Sequence, residues 1–169
     1  MRSELARVSY FRNFIFGIED SLVSTVGLLS GIAIVGVPRS TIFISGIVLI
    51  FVEAFSMGAG SVLSEQSAEG FESKTETLSV RSLKSGAIMF FSYFAAGFIP
   101  LFPYLILPAA SAFYISMGLT LIALFMLGVV GGRISGISVF KNGLRMFLIG
   151  GLAISIGVIV GTLASQFII

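Results

Sequence analysis

Five long stretches of mostly apolar residues constrain this chain more than any other feature. They cover residues 13–35, 41–63, 85–105, 109–131 and 144–167. A helix that crosses the hydrocarbon core of a bilayer needs about 20 such residues. Hydrophobic residues make up 56% of the 169 residues and charged residues 11%, whereas soluble domains are about 25% charged. The sequence therefore predicts an all-α integral membrane protein, with five transmembrane helices in a single membrane domain over residues 1–169.

The distribution of Lys and Arg predicts how the helices cross the membrane. Of the ten Lys and Arg residues, only Arg39 falls on the side opposite to the N-terminus. Cytoplasmic connections of membrane proteins carry an excess of these residues. We therefore expect a multi-pass protein with its N-terminus inside and its C-terminus outside, in the cell membrane if the source is a prokaryote.

The absence of Cys, His and Trp limits the available chemistry. Thiolate and imidazole metal sites are excluded, as are catalytic sites that depend on His or Cys. Any metal must be bound by carboxylates, Met sulfur, hydroxyls, amides or carbonyls, a set that suits Mg, Mn or Fe(II). Because no Ser–Lys dyad can form within the spans either, we expect no enzyme. We also expect no nucleic-acid partner and no resident cofactor.

Acidic residues interrupt the first two apolar stretches. Glu19 and Asp20 lie in the first, where Asp20 is roughly 10 Å from the cytoplasmic end at 1.5 Å per residue. The second carries Glu53 and Met57, which share one helix face at i and i+4. A carboxylate at membrane depth costs about 2.5–3.5 kcal/mol on insertion scales and usually marks an ion path. We predict that Asp20, Glu53 and Met57 share one layer as metal ligands, and that Glu19 is either a further ligand or part of the cytoplasmic vestibule.

These residues fit the exchange of a metal ion for protons. An ionised carboxylate binds a divalent cation and a protonated one releases it, so the same group can alternate between the two. The Met57 thioether would favour transition metals over Mg or Ca. Structural roles are the alternatives: a hydrogen bond to a neighbouring helix for the acids, and core filling for Met57.

Small residues mark faces of the first and fifth helices. Gly27 and Gly31 continue the face of Asp20, where they either line a path or allow close approach of another helix. Gly157 and Gly161 form a GxxxG pattern, which we interpret as tight helix packing within the subunit.

The connection from residue 64 to residue 84 is short and acidic. Its glutamates fall at i, i+4, i+7 and i+11, on one face of a helix: Glu65, Glu69, Glu72 and Glu76. They form either a solvated face or a carboxylate stripe that collects divalent cations at the mouth of the path.

Four segments in order resemble the vacuolar iron transporter family, which includes nodulin-21-like proteins and prokaryotic relatives. They are RNFIFGIEDSLVSTVG (12–27), AFSMGAG (54–60), GFIPLFPY (97–104), and NGLRM with IGG (142–146 and 149–151). The resemblance covers nearly the whole chain. It implies a five-helix homodimer that exports Fe(II), and often Mn(II), from the cytosol against protons, with Asp20 and Met57 as ligands near the dimer interface.

The chain departs from the family pattern at several positions. Ser21 stands where the family usually has Gly, Glu53 where it has a small residue, and Ser61 where it has an acid. Many members carry a long glutamate-rich metal-binding domain between the second and third helices, whereas this chain is a short form that keeps about twenty residues there.

From the acidic residues and the resemblance together, we predict a divalent metal exporter whose partners are the metal ion, protons, the lipid bilayer and a second copy. The alternative is a non-transporting membrane interaction or scaffold protein with vestigial acids.

Overall fold

Five helices form the part of the chain that the computed structural model describes, residues 2–73 and 78–167. They are α1 (Arg2–Ala33), α2 (Arg39–Ser73), α3 (Val80–Ile106), α4 (Ala109–Ser135) and α5 (Val139–Gln166). Each contains a segment long and apolar enough to cross a membrane. The protein is therefore an all-helical, multi-pass integral membrane protein.

The ends of the helices follow local signals. Ser79 caps α3 by accepting a hydrogen bond of 3.0 Å from the backbone N–H of Ser82. Gly136 ends α4 with φ at 69°, a left-handed conformation that glycine adopts without strain. The helix α3 runs through Pro100 and Pro103 and ends at Ile106. The helix α2 continues to Ser73, so the chain beyond the predicted span end at residue 63 is still helical.

The helix α1 is central and packs against all four others. It runs parallel to α3 and α5, whereas α2 is antiparallel to α3 and α4 is antiparallel to α5. As a result α1, α3 and α5 begin at the same end of the bundle, where α2 and α4 finish. We call this the basic end because it carries Arg7, Arg12, Arg81, Lys84, Arg133, Lys141 and Arg145. The opposite end, with Arg39, is the far end.

The Gly-rich faces of α1 and α5 meet directly. A Cβ atom added to Gly31 would lie 2.7 Å from the carbonyl oxygen of Gly157, and one added to Gly27 would lie 3.4 Å from that of Ala153. Gly161 likewise packs against the backbone of Gly31. The structure shows close helix approach at this face, within the subunit. Gly27, Gly31, Gly157 and Gly161 also line a groove of about 970 Å³ between α1 and α5.

Candidate metal site

Two carboxylates from adjacent helices lie near each other, close to the middle of their spans. Asp20 on α1 and Glu53 on α2 are close enough for their charges to interact, and both side chains are half-buried. Among the described residues, no Lys, Arg or hydrogen-bond donor pairs with either carboxylate. Two like charges without a partner in an apolar bundle repel each other, so a shared divalent cation would stabilise them.

Glu19 faces a different part of the bundle. Its charge interacts with that of Arg145 at the start of α5, as well as with its neighbour Asp20. Glu19 is therefore oriented toward α5, whereas Asp20 is oriented toward α2. Within the described ranges, no three acidic side chains gather into a group that would bind a metal ion. The remaining ligands of an ion between Asp20 and Glu53 would have to be neutral.

Met57 lines a polar groove that opens at the basic end. This groove has a volume of about 640 Å³ and lies between α1, α2 and α3. Its walls include Asn13, Phe16, Ser61 and Glu65. Because Met57 follows Glu53 by one helical turn, the groove extends from the basic end to the turn next to the acid pair.

Asn13 ties the walls of this groove together. Its amide nitrogen donates a 2.9 Å hydrogen bond to the Ser61 hydroxyl on α2 and another to the Ser85 hydroxyl on α3. The Asn13 side chain is buried. These bonds hold α2 and α3 against α1 at the level of the groove.

The structure places only part of the glutamate stripe. Glu65 and Glu69 lie on the extension of α2 beyond residue 63, and Glu72 follows them on the same helix. The side chain of Glu72 and the whole of Glu76 lie outside the described residues.

Glu65 is held in a buried network that joins three helices. One carboxylate oxygen lies 2.5 Å from a guanidinium nitrogen of Arg81 on α3, and the other accepts a 2.8 Å hydrogen bond from Ser9 on α1. Glu69 lies farther out, 3.8 Å from the Arg81 guanidinium. Both glutamates therefore face α3, and Glu65 is committed to partners within the protein.

The sequence of this chain is similar to those of known proteins. The sequence profile described as the VIT family matches residues 11–79 and 68–162, which together include Asp20, Glu53, Met57 and most of α5. The chain belongs to the VIT family.

Two plant proteins are similar to part of this VIT-family chain. It is 35% identical over 74 residues to "Vacuolar iron transporter 1" of Oryza sativa subsp. japonica, covering 43% of the chain and 29% of the relative. It is also 35% identical over 74 residues to "Vacuolar iron transporter 1" of Arabidopsis thaliana, covering 43% of the chain and 30% of that protein. The chain thus matches less than a third of the length of these relatives.

One residue near the acid pair of this VIT-family protein is missing from the sequence-based prediction. Tyr93 on α3 is fully buried, and its phenol group lies close enough to Asp20 and Glu53 for their charges to act on it. Its hydroxyl shares a 2.7 Å hydrogen bond with that of Ser24, one turn after Asp20. A single tyrosine in an apolar run carries no periodic signal, so only the placement of α3 beside α1 reveals it.

Proposed function

We propose that this VIT-family protein moves a divalent transition metal ion, Fe(II) or Mn(II), out of the cytosol in exchange for protons. The observation that carries the proposal is the pair of carboxylates without a cationic partner, Asp20 and Glu53, in the middle of the bundle. The printed names of the two plant relatives, both vacuolar iron transporters, support iron as a substrate.

The arrangement of the groove supports a direction of transport. The basic end would face the cytoplasm by the positive-inside rule, so the groove at that end would receive the cytosolic ion. The Met57 thioether would offer a soft ligand one turn before the acid pair. The ion would then bind between Asp20 and Glu53, and protonation of these carboxylates from the far end would release it.

The surroundings of Glu53 support a homodimer. Phe51, Val52 and Phe55 flank it on α2 and are strongly exposed, Phe55 by 71%. An acidic side chain next to a lipid-facing surface is unfavourable. A second copy packed against this face of α2 would shield Glu53 from lipid and enclose the path.

Uptake of Fe(II) or Mn(II) into proteoliposomes, with an imposed pH gradient, tests the transport proposal. We expect Asp20→Asn and Glu53→Gln to lower uptake by roughly tenfold or more, because interactions with charged groups contribute about 1.5–3 kcal/mol. Glu19→Gln is the matched control and should stay near the wild-type rate, since Glu19 faces Arg145.

Three results would count against this proposal. Wild-type uptake by Asp20→Asn would refute the role of the acid pair. An unchanged pH profile of Glu53→Gln would assign Glu53 a structural role. Absence of saturable uptake by the wild-type protein would favour the scaffold alternative.

A further inference from the structure

The Tyr93 hydroxyl lies at the boundary between the polar and apolar parts of the bundle. On the side of the basic end lies Asp20, one turn before Ser24, whose hydroxyl is 2.7 Å from that of Tyr93. The charges of Asp20 and Glu53 both act on the phenol group. On the side of the far end begins an apolar cluster that includes Leu29, Ile50 and Leu101, all of them fully buried. The hydroxyl therefore lies between the acid pair and this apolar cluster. An ion bound by Asp20 and Glu53 could contact α3 at this hydroxyl.

Two contacts with α1 fix the position of Tyr93. The Ser21 hydroxyl donates a 2.6 Å hydrogen bond to the backbone carbonyl of Tyr93, and the Ser24 hydroxyl shares a 2.7 Å bond with the phenol oxygen. The backbone and the tip of the side chain are thus held separately by one face of α1. Such anchoring is what a precisely placed ligand needs, because it reduces the entropy lost when an ion binds.

The phenol retains unused hydrogen-bonding capacity. A tyrosine hydroxyl has one donor and can accept as well, and its bond to Ser24 is its only hydrogen bond among the described residues. When the phenol donates to Ser24, its oxygen lone pairs are available to a cation. The helices α1 and α2 offer the Ser24 hydroxyl and the Met57 thioether one turn from the acids, and α3 adds the phenol oxygen of Tyr93.

We propose that the Tyr93 hydroxyl is an oxygen ligand of the transported ion and that Ser24 holds it in place. This inference rests on the proposed function, because it concerns the same ion between Asp20 and Glu53. A phenol oxygen adds a hard ligand without adding charge. The ion therefore gains a third contact while the site still needs only two carboxylates to balance a divalent charge.

Binding of Mn(II) to the purified full-length protein tests the inference. We expect Tyr93→Phe, which keeps the ring and removes the oxygen, to weaken binding about tenfold. Ser24→Ala should weaken it less, about threefold, because the phenol remains but loses its anchor. Tyr104→Phe is the matched control: Tyr104 is equally buried on α3, and its hydroxyl has no hydrogen-bond partner among the described residues. Its affinity should match that of the wild type.

Tyrosine fluorescence gives a second readout, which tests whether the ion binds beside Tyr93. The chain has four Tyr and no Trp, so its intrinsic emission reports directly on tyrosines. Bound Mn(II), which is paramagnetic, should quench Tyr93. The quenching should persist in Tyr104→Phe and disappear in Tyr93→Phe.

The outcomes separate this inference from the proposed function. If Asp20→Asn abolishes Mn(II) binding but Tyr93→Phe binds like the wild type, the ligand assignment is overturned and the transport site stands. If Asp20→Asn itself binds like the wild type, the proposed function fails first. Should Tyr93→Phe not survive purification, unchanged affinity in Ser24→Ala would overturn the assignment.

Discussion

Removing Arg81 should destabilise the protein more than removing its partner Glu65. The Glu65 side chain is only 7% exposed and that of Arg81 is 30% exposed. Loss of one partner from a buried ion pair typically costs about 3–5 kcal/mol, because the other charge stays buried without compensation. In Arg81→Gln the Glu65 carboxylate keeps only its hydrogen bond from Ser9, so we expect a loss of about 3 kcal/mol or more.

Substitution of Glu65 leaves a smaller unpaired charge penalty, because the remaining partner, Arg81, is partly exposed. In Glu65→Gln the amide oxygen can still accept the hydrogen bond from Ser9. The Arg81 guanidinium can reach water and lies 3.8 Å from Glu69. The expected loss is therefore about 1 kcal/mol, the usual net value of one hydrogen bond. The double variant Arg81→Gln/Glu65→Gln should recover much of the stability lost in Arg81→Gln, since it contains no unpaired buried charge.

Thermal unfolding in detergent, followed by size-exclusion chromatography of the full-length protein, measures this difference. At about 2–4 °C per kcal/mol for chains of this size, Arg81→Gln should lower the Tm by roughly 6 °C or more and Glu65→Gln by roughly 2–4 °C. Lys84→Gln, an exposed change in the same helix, serves as the control. Equal losses in the two single variants, or the opposite order, would refute the reasoning from burial.

Two further predictions concern packing and ion selectivity. Gly31→Ala should cost about 1–3 kcal/mol, because its Cβ would meet the Gly157 carbonyl at 2.7 Å; Gly151→Ala, which would meet nothing within 4 Å, is the control in the same unfolding assay. Met57→Leu conserves volume, so stability should change by less than about 1.5 kcal/mol, while the preference for Mn(II) over Mg(II) in competition uptake should fall; an unchanged preference would make Met57 a packing residue.

The number and type of helices could be predicted because each membrane span is encoded locally. About 20 apolar residues in a row identify a span wherever its neighbours lie. The extension of α2 to Ser73 could not be predicted with the same ease. Its Ser and Gly content weakens the helical signal, whereas Glu65 is stabilised by Arg81 and Ser9 from two other helices.

The candidate site likewise has a part that the sequence predicts and a part that it does not. The proximity of Asp20 and Glu53 followed from depth alone, since two antiparallel helices bring residues at equal depth together. Which face each residue takes depends on helix rotation, and this decides that Glu19 turns toward Arg145 and that Tyr93 joins the acids. The role of the glycines of α1 depends on helix rotation too, since only the rotation of α1 places Gly27 and Gly31 against α5.

The way in which α1 is packed has a mechanical consequence. Its glycine seam with α5 and its hydrogen bonds to α3 pack these three helices closely together. The helix α2 is held mainly through α3, and its direct contact with α1 is the least extensive of the main helix interfaces. Asp20 and Glu53 lie on opposite sides of this least extensive interface. Two side-chain hydrogen bonds, between Ser9 and Glu65 and between Asn13 and Ser61, join α2 to α1 toward the basic end. A small tilt of α2 about this end would therefore change the distance between Asp20 and Glu53 while these bonds stay in place.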